Sequence, residues 1–362
     1  MKTKISIAII TVIALLSLCG CSKETVVDNN TITDSLAREV LIPKEAETFV
    51  CIGPGCLRLY CYVGDVSKLV GIENKDKNVI GRPYLMANPE LMDLTIIGTG
   101  GPNNSPDAEK LLVADPDVIF TTYNSDVASV DELQEKTGIP VVALSYGVTS
   151  VFDPEVDKSI EIIGAITGNE KRSKEVIAYF DELKADLQSR TENIADSDKP
   201  SVYFGAQSMR GVHGIESTSG NFALFNAIGA RNVVDEAGIS QYIILDKEAL
   251  LIMDPEVIFI DAYGFSQVKK DYNINPSYYE GLKAFKNDKV YMLLPYNYYS
   301  TNIEIALADA YYMGSVLYPE EFSDVDLIKK FDEITQMLLG ANLYDEVAVD
   351  FYGGLQQIKF GK

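Results

Sequence analysis

The chain of 362 residues contains no tryptophan and one histidine, His213. A dedicated zinc or manganese centre draws on several convergent His, Asp or Glu ligands, so none is expected. A Ser-His-Asp triad would have to run through His213, and no G-x-S-x-G occurs. Cationic residues are scarce as well: 31 Lys and Arg stand against 53 Asp and Glu, a net charge of −22. Without a basic cluster to neutralise phosphates, a nucleic-acid partner is excluded. Cysteine is sparse and, past the first 21 residues, odd in number: Cys51, Cys56 and Cys61 cannot pair completely. Their C-x4-C-x4-C spacing matches no zinc pattern. Residues five apart do not share a helix face, so the three read as buried small apolar side chains, with a thiolate ligand as the alternative.

What is present begins with a leader. "MKTK" precedes the uncharged run Ile5–Leu18, 14 residues, too short to span a membrane and of the length of an export-signal core. Gly20 before Cys21 resembles a lipobox, whereas bulky Leu18 makes Cys19 a poor candidate. Residues 1–20 are therefore expected to be a lipoprotein signal peptide. Cys21 is the expected lipidated residue, anchoring the chain by lipid and not by a helix. An ordinary cleaved signal is the alternative. Residues 21–46 are expected to be the lipidated cysteine and a tether. Polar 22 to about 35 forms its loose part, and 36–46 a short strand or hairpin.

About 315 residues follow, long for a single core, and 47% of the sequence is apolar, so two globular lobes are expected. One phrase occurs twice in constant register: "DAEKLLVADPDVIF" from 107 and "DKEALLIMDPEVIF" from 246. Each parses as a short helix with paired leucines, an Asp-Pro stop and a β-branched and aromatic strand. In the first copy Pro106 is expected just inside the helix start. Strand runs such as Val118–Phe120 and Val257–Ile260 suit a parallel sheet covered on both faces. The text ahead of each copy also matches. "LYCYVGDVSKLVGIE" and "LFNAIGARNVVDE" read as a helix, a Gly stop (Gly64, Gly229) and a short strand. Two α/β lobes with the same order of elements follow.

Between them lie two helical patterns split by Gly168. The second, from Asn169 to about Ala195, carries Ile177, Phe180, Leu183 and Leu187 on one face and would be roughly 40 Å long. It reads as a stiff strut, which leaves little room for lobe displacement. A last amphipathic helix is expected from about Asp324 to Leu339, capped by Ser323 or Asp324. The divisions are 47–150 for the first lobe, 151–196 for the helical segment with the strut, 197–322 for the second lobe and 323–362 for the final helix and tail. The fold class is α/β: two similar three-layer lobes with mainly parallel sheets, joined by one long rigid helix.

In "FVCIGPGCLRLYCYVGDVSKLVGIE", "RPYLMANPELMDLTIIGTGGPNNSPDAEKLLVADPDVIF", "GVHGIESTSGNFALFNAIGARNVVDE" and "LDKEALLIMDPEVIFID" the chain resembles a known family. It is similar to the substrate-binding lipoproteins of ABC importers for iron-siderophores, haem and cobalamin, of the class III periplasmic-binding-protein type. The likeness covers roughly 47 to 320. It implies a non-catalytic, monomeric receptor on the outer face of the cytoplasmic membrane. The implied partner is a permease dimer with a cytoplasmic ATPase, and the implied cargo an iron chelate, haem or corrinoid. No resident cofactor is expected. Another metal complex or an oxyanion remains an alternative cargo, and an exported enzyme an alternative of another class. In this family one glutamate per lobe meets an arginine-rich pocket on each permease half. The corresponding residues are Glu109 and Glu248, which would equally serve as first-turn acids complementing a helix dipole.

Ligands of open α/β sheets gather at the carboxyl ends of strands. The loops expected to line the interlobe cleft are "GPGCLR", "GRPY", "GTGGPNN", "TYN", "QSMRGVHGIESTSGN", "DAYGF" and "PYNYYSTN". The candidate ligand-binding residues are Arg58, Arg82, Tyr84, Tyr123, Arg210, His213, Tyr263 and Tyr298. The arginines suit carboxylates or catecholates and the tyrosines suit a flat ligand. His213 is either a ligand contact or a locally bonded loop residue. No metal ligands are assigned.

Overall fold

A computed structural model describes residues 30–123 and 126–361; Cys21, the signal peptide and the first part of the tether lie outside them. The described part begins with a hairpin, β1 (Thr31–Thr33) and β2 (Glu39–Leu41). The expected tether is thus folded from residue 30 onward. Buried Asp34 is the reason. Its carboxylate accepts the N–H groups of Leu36 and Arg38 within the turn and that of Ala143 in the neighbouring lobe. Arg38 spans the same seam, bonded to Asp34 and to the Val141 carbonyl.

The first lobe is built on β3 (Phe49–Ile52), β4 (Leu69–Glu73), β5 (Ile96–Gly98), β6 (Val118–Thr121) and β7 (Val141–Ala143). All five are parallel, in the order β5-β4-β3-β6-β7. The strands are apolar on both sides. Phe49, Cys51, Val118 and Phe120 face one core, while Val50, Ile52 and Ile119 face a second with Leu111, Val130 and Leu133. Cys51 and Cys56 are buried, Cys61 is half-buried and all three are free thiols.

The second lobe holds β8 (Ser201–Gly205), β9 (Ser217–Ser219), β10 (Arg231–Asn232), β11 (Tyr242–Ile244), β12 (Val257–Asp261), β13 (Val290–Leu293) and β14 (Gln356–Gln357). Its main sheet runs β10-β8-β12-β13-β14, parallel except for the last strand; β9 and β11 form a separate antiparallel ribbon. The strand expected in "NVVDE" is only Arg231–Asn232. The Asn232 side chain caps the next residues, accepting the Val234 N–H, and turns them into helix.

The repeated phrase folds alike in both lobes: Ala108–Ala114 leads to β6 and Lys247–Met253 to β12. Asp115 (φ 49°) and Asp254 (φ 38°) end the two helices in the left-handed conformation. Asp107, not a proline inside the helix, caps the first one by accepting the Lys110 N–H.

The strut spans Glu170–Thr191, roughly 33 Å, shorter than the sequence pattern implies. Its buried stripe is Val176, Phe180, Leu183 and Leu187, with Ile177 beside it only half-buried. Tyr62 of the first lobe meets Phe180 edge-on, and Tyr311 of the second donates to Asp186. The amphipathic helix expected near the end is Leu327–Leu339, capped by Asp326 rather than by Ser323 or Asp324, and a short helix, Tyr344–Asp350, follows it. Arg172 of the strut bonds the Met337 and Leu338 carbonyls at the end of the longer helix.

Candidate functional site

In both sheets the first strand lies inside the sheet, central in the first lobe and next to the edge in the second, and the chain departs from it in opposite directions. The carboxyl ends of β3 and β6, and of β8 and β12, are therefore the places where loops diverge and leave a crevice. A cavity of about 750 Å³ opens there between the lobes. The first lobe contributes Pro54, Lys75, Arg82, Pro102, Asn103 and the turn 148–150. The second contributes the loop after β8, the ribbon with Tyr242, Tyr263 after β12 and residues 296–301 after β13.

The walls carry Lys75, Arg82 and Arg210, five tyrosines and many amides and hydroxyls. Among the described residues lining the cavity there is no Asp or Glu. In a chain of net charge −22, the cleft is thus locally the opposite of the whole. Arg82 is its most constrained cation. It is buried, pairs with Asp76 at 3.5 Å and lies 5.3 and 4.9 Å from the ring centres of Tyr298 and Tyr299. Its Nε has no hydrogen-bond partner. A buried donor left over is costly, so an acceptor arriving in the cleft gains from it. Arg210 stands exposed in the loop after β8, in the left-handed conformation (φ 56°) and next to Gly211.

Of the predicted ligand contacts, Arg82, Arg210, Tyr263 and Tyr298 line the cavity, while Arg58, Tyr84, Tyr123 and His213 do not. Arg58 is fully buried and bridges the lobes. Its guanidinium donates to the carbonyls of Tyr298 (3.2 Å) and Thr301 (2.8 Å) and to Asn302 Oδ1 (2.5 Å), with the Glu304 carboxylate at 3.7 Å. Tyr84 lies beneath Arg58 and donates to buried Asp76. Tyr123 donates to Gly101 O at 3.0 Å, with Glu73 at 3.3 Å. Half-buried His213 does not line the cavity, and its Nε2 lies 2.9 Å from Met209 O. Packing between the lobes or within the loop claims the polar ends of these residues.

Further residues belong to the same clasp, among them Glu73 and Glu304, which carried no sequence signal. The segment 297–301 enters the first lobe, with Tyr299 (φ 61°) and Ser300 (φ 72°) both left-handed. The Tyr299 hydroxyl donates to Glu73 Oε2 at 3.0 Å and accepts from the Gly101 N–H at 2.9 Å. Glu73 also accepts the Gly53 N–H, so one donor of the β3 loop is taken by the protein itself. Burial pushes the Glu73 carboxyl up to about 7, against the Gly53 hydrogen bond. Asp261, at the equivalent level of the second lobe, is likewise pushed up to about 7 by burial, against bonds from Tyr263 and Ser208. On the other side of the clasp Glu304 accepts from Tyr62, and Asn302 donates to Gly81 O. Lys75 and the turn 148–150 gave no sequence signal beyond being polar loop residues. Among the described residues no group of three or more His, Cys, Asp or Glu is arranged to hold a metal ion.

Two α/β lobes, a helical strut and a cleft at the strand carboxyl ends define a class III substrate-binding protein. The chain belongs to the periplasmic binding protein family, whose model matches residues 50–296. It is 25% identical over 325 residues to the molybdate-binding protein MolA of Haemophilus influenzae, covering 84% of this chain and 89% of that protein. The structure of MolA bound to molybdate superposes with a TM-score of 0.69 over 86% of this chain and 98% of that one, at 23% identity. A periplasmic solute binding protein from Veillonella parvula gives a TM-score of 0.71 at 19% identity, over 89% and 96% of the two chains. An uncharacterized ABC transporter substrate-binding lipoprotein of Bacillus subtilis, YvrC, is 23% identical over 270 residues, 71% of this chain and 81% of that protein. The chain is thus a substrate-binding protein of an ABC importer, a class that works with a permease and an ATPase.

Proposed function

We propose that this protein captures an anionic metal chelate of siderophore, haem or corrinoid size in the interlobe cleft and delivers it to its permease. The observation that carries the reading is the cleft itself. A volume of about 750 Å³, walled by Lys75, Arg82, Arg210 and tyrosines and by no described carboxylate, matches a large anion with flat apolar parts. Arginine forks and tyrosine faces suit carboxylates and catecholates. The likeness to a molybdate-binding protein supports a second reading, a bare oxyanion held on Arg82. Such an anion would leave most of the cleft to water.

The receptor acts outside the cytoplasmic membrane, anchored through Cys21, as the lipobox and the lipoprotein relative support. Among the described residues no helix is long and apolar enough to cross a membrane. Glu109 and Glu248 are exposed in the first turns of the two equivalent helices, and neither has an ion-pair partner among the described residues. They are the proposed permease contacts, each meeting a basic residue of one permease subunit.

The test is absorption and mass spectrometry of ligand retained by protein from its own source. Thermal titration with ferric catecholates, haem, cyanocobalamin and molybdate follows. A chelate at a hundred times its Kd is expected to stabilise the protein by about 2.7 kcal/mol. Stabilisation by molybdate alone would replace the first reading with the second.

A further inference from the structure

The mouth of the cleft differs from its floor. Arg82, 1% exposed, lies deep in the cavity wall, whereas Val148, on the same cavity, is 93% exposed. Val148 belongs to the turn between β7 and the helix Pro154–Thr167. Turn tips favour Gly, Asn, Asp and Ser, and no described residue covers this valine. The turn is nonetheless fixed. The Asp153 carboxylate accepts the Val148 and Thr149 N–H groups at 2.8 and 2.9 Å and the Thr149 hydroxyl at 3.1 Å, and Val151 is buried behind them. The second lobe places Met209, 38% exposed, on the same cavity. Left-handed non-glycine residues collect on its wall: Ser150, Arg210, Asn221, Tyr299 and Ser300. Backbone of that kind persists only where the surroundings over-determine it, and it clusters at ligand clamps. A lone exposed valine is ordinary. Packing does not explain one held rigidly at the rim of a cavity that the other lobe also lines with an apolar side chain.

We infer that Val148 and Met209 are two apolar lips of the cleft, and that they select a cargo whose anionic part sits on Arg82 and whose aliphatic part emerges at the mouth. The inference rests on the chelate reading and narrows it to an amphiphilic anion. Charge and depth fix this occupant. Lys75, Arg82 and Arg210, with no described carboxylate among the lining residues, draw the anion inward. Buried Arg82 keeps an unpartnered Nε for it. An aliphatic group at the rim covers Val148 and Met209 and leaves water together with them. A bare oxyanion gains nothing from either lip.

The experiment is calorimetry of the full-length protein with two probes, the ferric complexes of catechol and of 4-tert-butylcatechol. They share the anionic head and differ in an aliphatic group. The wild type is expected to bind the second about tenfold more tightly, the factor for about two methyl groups leaving water. The ratio is expected to fall to about threefold in Val148→Ser and to about one when Met209→Gln is added. Val349→Ser, at a valine 82% exposed and away from the cavity, is expected to keep the tenfold ratio. Melting curves of the free variants report whether they fold, and Val148→Ser decides alone if the double variant does not. Equal binding of the two probes by the wild type would overturn the inference and leave a chelate cargo standing. So would a tenfold preference that survives in Val148→Ser and the double variant, which would free the lips for a protein partner. Binding of neither probe would overturn the inference together with the catecholate form of the cargo.

Discussion

Arg58 and Arg210 are predicted from the same kind of loop for the same task, and the structure gives them opposite surroundings. Arg58 is sealed between the lobes and spends its donors on carbonyls of 298–301 and on Asn302. Arg210 stands exposed on the cleft wall. The tyrosines divide less cleanly: Tyr84 serves the clasp, Tyr263 and Tyr298 line the cavity, and Tyr299 lines it while its hydroxyl serves the clasp. Residue type and loop position therefore do not separate a cleft-lining residue from a lobe contact. The difference is whether the other lobe arrives with acceptors at that point. The lobes are thus joined by a polar clasp as well as by the strut.

The sharpest way to break the comparison is to remove each arginine in turn. Arg58→Met strands the buried Glu304 carboxylate and several carbonyls, and a broken buried pair costs about 3–5 kcal/mol. Urea unfolding is expected to show that loss, and scattering a wider separation of the lobes. Wild-type scattering is expected to change little when ligand binds. Arg210→Gln is expected to leave stability within about 0.5 kcal/mol. It should instead weaken anionic ligand about tenfold or more, the scale of a charged hydrogen bond, read by calorimetry. Equal stability losses in the two variants would erase the distinction.

A smaller effect sharpens it through pH. The Glu73 and Asp261 carboxyls, both near 7 when folded, titrate at about 4.5 and 3.8 in the unfolded chain. The folded state binds more protons between those values and 7, so stability rises as the pH falls through that window. Melting is expected to be higher at about pH 5.5 than at about pH 7.5, and the gradient shallower in Glu73→Gln with Asp261→Asn. Carboxylates held low by hydrogen bonds, such as Asp117 and Asp153, lose their contribution only below this window. A double variant with the wild-type gradient would sink the assignment. The smallest effect expected is at His213, which bonds within its own loop. His213→Gln should change neither ligand affinity nor melting temperature.

Much of the architecture was legible. The Asp-Pro stops, the glycine stops and the apolar strand runs are local signals, and they produced the helices, strands and lobe order that the structure contains. The helix ends moved by a few residues where a single side chain decided them, as Asp326 and Asp107 did. The cleft loops were legible as loops. Their side-chain partners were not, and half of the predicted contacts do not line the cavity.

By itself the sequence determined two α/β lobes in a common register, a helix between them and an acid at the same place in each, because these follow from short-range pattern and repetition. Only the tertiary structure decided which arginines and tyrosines line the cleft. Arg58 and Asn302 are separated by 244 residues and Glu73 and Tyr299 by 226. Pairing across such distances is set by how two packed lobes face one another, and no local pattern records it.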